Sequence, residues 1–216
     1  MLRRIVYKEF KNLNNNKKLK LRNNAQIKQK ILSRLDLVES SLQLIPDISE
    51  SIDAITKCLK KGNKVVLYGN GGSAADAQHI AAELVGKFNL KRKSMSAIAL
   101  TSNSSTITAL ANDFSFDTIF SRQCESLISK GDISIGISTS GNSSNIKKAL
   151  ITSKKMGATT IALLGNKGGQ IKKYADIPII VNSSSTPFIQ EIHRIIYHII
   201  CEVVENDMTK FYKKNK

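Results

Sequence analysis

His79 and Glu83 stand four residues apart in an alanine-rich stretch, so a helix there puts both side chains on one face. An imidazole and a carboxylate placed that way can act as acid and base or hold a metal ion. The same spacing also makes an ordinary surface ion pair, so position has to decide. The stretch begins at a glycine loop, Gly69-Asn70-Gly71-Gly72-Ser73, and the pair falls roughly one and a half to three turns beyond it. Near the C-terminus Gln190, His193 and His198 lie among apolar residues, where buried polar groups need partners. Spacing on an ideal helix pairs Gln190 with His193, one turn on, better than with His198, about 80° around. A core histidine bonded to its surroundings is the commoner fate of a residue in such a place.

Two loops could bind an anion. In the first, the glycines allow close backbone approach to a ligand, and Ser73 is a good N-cap for the helix that follows. It lacks both the GK[ST] of a P-loop and the GxGxxG of a dinucleotide turn. The second, Ser138-Thr139-Ser140-Gly141-Asn142-Ser143, gathers four hydroxyls around one glycine before a predicted helix. Hydroxyls and free backbone amides at a helix N-terminus suit a phosphate ester. Each loop alone could be a structural turn, but two at the same edge of one sheet point to a phosphorylated ligand.

The elements that must carry these loops are legible in the periodicity. Residues 24–45 step Ile27, Ile31, Leu35 and Val38 along one face, and a second helix is expected over 49–61. After Gly62 short, β-branched, near-continuously apolar runs predict strands at 64–68, 96–100, 133–137, 159–164 and 177–181. Helices are expected between them at 73–88, 104–111, 115–129, 143–156 and 168–174, with a long one over 187–207. Strands alternating with helices imply a five-stranded parallel sheet in an αβα sandwich, preceded by N-terminal helices. In a sheet of that class, ligands sit beyond the carboxyl ends of the strands, where both loops fall.

The 216 residues suit one such core. Cys58, Cys124 and Cys201 are odd in number and widely spaced, which excludes a disulfide framework and a CxxC knuckle and favours a cytoplasmic home. No apolar run reaches the roughly 18 residues of a membrane span, and the start MLRRIVYKEF has no signal-peptide core. Residues 1–30 carry +9 of the net charge of +16. This reads as a solvated, flexible basic extension over 1–23, so nucleic acid is not expected as a partner. Helices over 24–62 would pack on a domain spanning 63–207, with a basic tail at 208–216.

Four blocks, GNGGSAADAQHIAAEL (69–84), ALANDFSFDTIFSRQ (109–123), GISTSGNS (136–143) and IQEIH (189–193), resemble the SIS, or sugar isomerase, domain. Within it the chain is most similar to the phosphoheptose isomerase family, over about residues 25–207. The resemblance implies an enzyme that interconverts sedoheptulose 7-phosphate and D-glycero-D-manno-heptose 7-phosphate through an enediol, at the start of nucleotide-activated heptose synthesis. It implies that Asn70, Gly71 and Gly72 contact the sugar, that Asn112 and Asp113 close over it, and that Ser138, Thr139, Ser140 and Ser143 hold the phosphate. It also implies one zinc ion per subunit on His79, Glu83, Gln190 and His198, with Glu83 and His198 catalytic, and a homotetramer with intersubunit active sites. It implies that Gln190 contacts substrate as well. The family usually has Arg just before its Ile-Gln pair, whereas Phe188 stands here and offers no ionic contact. Rival readings are a non-catalytic SIS protein that binds a replication initiator, which would lack the acidic and final-helix His positions, and an SIS isomerase or regulator for another sugar phosphate.

Overall fold

The computed structural model describes residues 24–215, and the basic extension expected over 1–23 lies outside them. The chain divides into two compact units, the first ending at Asp36 and the second running from Leu37. In the first, the described residues are helical and belong to α1 (Asn24–Ser40), along which Ile27, Ile31 and Leu35 are exposed.

In the second unit α1 ends at Ser40, earlier than the periodicity suggests, and a 3₁₀ turn at Ser41–Leu44 leads into α2 (Ile45–Lys60). Pro46 explains the early start of α2, because its locked φ and missing N–H suit a first helical turn. Five strands follow: β1 (Val65–Gly69), β2 (Ala97–Ala99), β3 (Ile133–Ser138), β4 (Thr159–Leu164) and β5 (Ile177–Ile180). They pair in parallel in the order β2-β1-β3-β4-β5. The helices between and after them are α3 (Gly72–Val85), α4 (Ser104–Asp113), α5 (Ile119–Leu127), α6 (Ser144–Lys155) and α7 (Thr186–Lys214).

Alternate strand residues feed two separate cores, as period-two geometry demands. Val65, Leu67, Ile135 and Leu163 pack under α2, α3 and α7. Val66, Tyr68, Ala162 and Leu164 pack against α5 and α6. Burial on both faces of the central strands β1, β3 and β4 is why they read as near-continuous apolar runs, each large side chain contributing roughly 1.5–3 kcal/mol. β1 and β3 are neighbours, and the chain leaves β1 toward β2 on one side and β3 toward β4 on the other. That reversal is a topological switch point, where sheets of this class open a crevice for ligand, and both predicted loops lie at it.

Three expectations need correction. Residues 168–174 form no helix. They make two 3₁₀ turns, at Asn166–Gly168 and Lys172–Tyr174, parted by Gly169 at φ +51°. The segment braces the hydroxyl loop instead, Ile171 N–H donating to Gly141 O at 2.9 Å and Gln170 N–H to Asn142 Oδ1 at 3.0 Å. Ser73 does not cap α3. Gly71 takes the cap position and Ser73 is buried in the first turn. Finally, α7 runs to Lys214 rather than ending at Asp207, because Met208 is fully buried and Phe211 and Tyr212 pack on the core beside it.

The far end of α3 is held by a buried ion pair. The Glu205 carboxylate accepts from the backbone N–H groups of Phe88, Asn89 and Leu90 and from Arg92 Nε, at 2.7 to 3.1 Å. Arg92 in turn donates to the carbonyls of Glu83, Leu84 and Gly86, closing the orphan acceptors of the helix C-terminus with a cation. Burial pushes the Glu205 carboxyl upward, but the three amides and Arg92 outweigh it and hold it below its ordinary value.

Candidate active site

The hydroxyl loop joins β3 to α6. Ser138 Oγ lies 3.0 Å from Ser143 Oγ and 3.4 Å from Ser140 Oγ, so three of the four predicted hydroxyls converge. Ser143 occupies the N-cap of α6 yet makes no side-chain cap bond, its hydroxyl being turned toward Ser138. A purely structural cap would spend that oxygen on the helix. Thr139 is half-buried on the same turn. Gly141 has φ +67°, and an added Cβ would strike the backbone of Gly168 and Gly169, so only glycine fits between the loop and its brace.

Asn145, buried in the first turn of α6, ties this loop to the glycine loop. Its amide and that of Asn70 bond each other in both directions at 2.9 Å. Above the glycine loop sits Gln190. A Cβ on Gly72 would occupy the place of the Gln190 amide, so the absent side chain lets α7 lie on the loop.

From there α3 and α7 run side by side in parallel. Gly72 meets Gln190, Asp76 meets Arg194 and His79 meets Tyr197, each pair 118 residues apart. The register carries His198 to His79, their ring centroids 5.1 Å apart and nearly perpendicular. His79 Nε2 lies 2.9 Å from Glu83 Oε1, with Glu83 half-buried. Phe88 and Tyr197 flank the His198 ring. Burial, then the charge of neighbouring His79, lowers the His198 pKa. Its Nε2 is buried without a hydrogen-bond partner.

His193 turns the other way. It is fully buried, with Nε2 3.1 Å from Leu164 O at the end of β4, and burial pushes its pKa down to about 4. The periodicity that pairs Gln190 with His193 therefore selects the histidine facing the core, while His198 faces His79 and Glu83. Asn112 and Asp113 lie exposed at the C-terminal end of α4, bonded to each other at 2.9 Å.

Sequence reasoning missed Asn145, Asp76, Arg194 and Tyr197. Tyr197 Oη sits 3.1 Å from His79 Nδ1, 3.2 Å from Asp76 Oδ1 and 3.0 Å from Arg194 Nε. Asp76 precedes His79 by three residues, a same-face spacing that could have marked it. Burial pushes the Tyr197 hydroxyl up to about 12, keeping it a neutral phenol.

Among the described residues no three His, Cys, Asp or Glu side chains form a ready metal-holding group. What suits an ion is the chemistry of the donors. His79 touches Glu83 and stacks edge-on with His198, the Gln190 amide lies about two turns back along α7 at the glycine loop, and the buried Nε2 of His198 lacks a partner.

The SIS domain family profile matches residues 28–165. The phosphoheptose isomerase of Clostridium acetobutylicum is 49% identical over 184 residues, which are 85% of this chain and 93% of that protein. That of Sulfurimonas denitrificans is 46% identical over 192 residues, 88% of this chain and 94% of the relative. The solved structure of a phosphoheptose isomerase from Francisella tularensis matches with a TM-score of 0.82 at 33% identity, over 86% of this chain and 100% of that one. The one from Neisseria gonorrhoeae matches at 0.80 and 33%, over 84% and 98%.

Proposed function

The chain belongs to the phosphoheptose isomerase family of SIS-domain proteins, and from that premise we propose that it interconverts sedoheptulose 7-phosphate and D-glycero-D-manno-heptose 7-phosphate. The observation that carries the reading is the parallel register of α3 and α7. It lines up the glycine loop, Gln190, His79, Glu83 and His198 along one seam that starts at the switch point of the sheet.

In this reading Ser138, Thr139, Ser140 and Ser143, with backbone N–H groups at the start of α6, hold the phosphate. Asn70, Gly71, Gly72 and Gln190 contact the sugar, and Asn112 and Asp113 close over it. Anchoring the phosphate far from C1 and C2 uses remote binding energy to orient the reacting carbons. Glu83 takes a proton from C1 and returns it to C2, and His198 carries the hydroxyl proton from O1 to O2, so the isomerisation balances. His79, Glu83, Gln190 and His198 would hold one zinc ion per subunit, a reading supported by the partnerless Nε2 of His198. Bound there, zinc would supply Lewis-acid polarisation of the C1 and C2 oxygens.

A homotetramer with active sites between subunits belongs to the same proposal. It is supported by two exposed apolar rows, Ile27, Ile31, Leu35 and Val38 on α1 and Ile195, Ile199 and Val203 on α7. A cytoplasmic location is supported by the three free, buried thiols, and among the described residues no helix is long and apolar enough to cross a membrane.

The test is direct. Purified full-length protein incubated with sedoheptulose 7-phosphate is expected to form the aldose, and Glu83→Gln to lose turnover by on the order of 10²- to 10⁴-fold while still folding. No aldose from the wild type, or near-wild-type activity in the variant, would overturn the reading. Metal analysis should find about one zinc per subunit, as a single mononuclear site requires. Full activity in metal-free protein would remove the zinc and leave the isomerase.

A further inference from the structure

The hydroxyl of Tyr197 belongs to a residue only 1% exposed, and three groups meet at its oxygen: Asp76 Oδ1, Arg194 Nε and His79 Nδ1. A phenol has one hydrogen to give and two lone pairs to receive. Asp76 is also buried and its Oδ1 accepts from Arg194 Nη2 at 3.1 Å, so this paired carboxylate can only accept from Tyr197. Arg194 Nε can only donate. The phenol hydrogen is therefore spent on Asp76 and one lone pair on Arg194. What remains toward His79 is a lone pair, which only an N–H can satisfy.

We propose that Tyr197, locked by Asp76 and Arg194, is a positioning residue that fixes His79 as its Nδ1–H tautomer and so presents a bare Nε2 to Glu83. Nothing in the four family-like blocks of sequence marks Tyr197 for that role. The consequence is chemical. A bare Nε2 and a carboxylate oxygen are both acceptors, yet they lie 2.9 Å apart. Two acceptors hold that distance only with a proton or a cation between them, so the network on the far side of the ring prepares this contact to take up one or the other. Were Tyr197 absent, the hydrogen of a neutral ring could move to Nε2, bond Glu83 directly and close the site to an ion. The inference deepens the reading of His79 and Glu83 as working residues, but it concerns where a hydrogen sits and can be read without turnover.

The chain has three histidines, which makes the measurement tractable. Full-length protein labelled with ¹⁵N only in histidine, freed of metal with chelator, is examined by long-range ¹H–¹⁵N correlation at a pH where the rings are neutral, with His79→Gln used for assignment. In the wild type, His79 is expected to show a protonated Nδ1 and a bare Nε2. His193, which meets the Leu164 carbonyl through Nε2, should show the reverse and serves as an internal control. Tyr197→Phe removes only the hydroxyl, and His79 should then shift toward the Nε2–H form while the His193 signals stay in place. Titrated with Zn²⁺ against a competing chelator, the variant should bind about 10- to 100-fold more weakly than the wild type, the usual cost of losing such a supporting bond. A bare Nδ1 on His79 in the wild type overturns the proposal whether or not the variant folds. So does an unchanged tautomer in Tyr197→Phe. A protein that shows the expected tautomers but never isomerises the heptose phosphate would refute the proposed activity and leave this inference standing.

Discussion

The carboxamides of Asn70 and Asn145 bond each other in both directions at 2.9 Å, joining the loop after β1 to the first turn of α6 across 75 residues of chain. The pair sets the distance between the loop assigned to the sugar and the loop assigned to the phosphate. Asn145→Ala would leave the half-buried Asn70 amide without this partner, a loss of about 0.5–1.5 kcal/mol for an ordinary hydrogen bond. The expected result is a KM for sedoheptulose 7-phosphate raised about tenfold in a protein with unchanged circular dichroism. An unaltered KM would show that the pair does not gauge the site.

Ser138→Ala and Ser140→Ala each remove a hydroxyl from the converging cluster beside Ser143. A hydrogen bond to a charged phosphate contributes roughly 1.5–3 kcal/mol and acts alike in the ground and transition states. KM should therefore rise about 10- to 100-fold while kcat changes little. A loss confined to kcat would place these serines elsewhere in the mechanism.

His193 should leave its mark on stability rather than on turnover. Its folded pKa of about 4 lies below the ordinary 6.5, so between those values the unfolded chain binds a proton that the folded one refuses. Stability is then fully present above about pH 6.5 and is lost as pH falls toward 4, by on the order of 3 kcal/mol. His193→Gln, which keeps a donor for the Leu164 carbonyl and cannot titrate, should flatten denaturation midpoints in that window and retain isomerase activity. An undiminished slope, or an inactive variant, would contradict the assignment.

Glu205→Gln keeps the side-chain volume but halves the acceptors, since both carboxylate oxygens receive backbone N–H groups and Arg92 besides. Breaking a buried pair with such ties costs about 3–5 kcal/mol. Because Arg92 also closes the end of α3 that bears Glu83, activity should fall at temperatures where the variant is still folded. The depressed Glu205 pKa adds a pH effect of its own. Its contribution is present above the ordinary 4.5 and is lost as pH falls below it, overlapping only the lower end of the His193 window. A denaturation midpoint equal to wild type would refute the anchor.

The sheet and its loops are legible in local stretches of sequence. Runs such as 133–137 and 159–164 are near-continuously apolar because these central strands are covered on both faces, a requirement written into consecutive residues. The glycines and hydroxyls at the strand ends are local too, so the two loops and their place at the carboxyl edge could be read without a fold. Spacing alone also put His79 and Glu83 on one face, and family resemblance pointed to His198. What depends on two distant segments lying side by side emerges in the folded chain alone. Periodicity within α7 preferred His193, but the parallel register of α7 against α3 turns His193 to a strand-end carbonyl and brings His198 to His79. The 3₁₀ turns over 166–174, expected as one helix, take their shape from the loop they brace, and Gly169 has no local reason for its φ apart from that contact. Arg92 with Glu205, 113 residues apart, and Tyr197 with Asp76, 121 apart, leave no local pattern that would pair them. Their pairing is a property of the closed fold, where burial forces each donor and acceptor to find a match that the linear chain does not display.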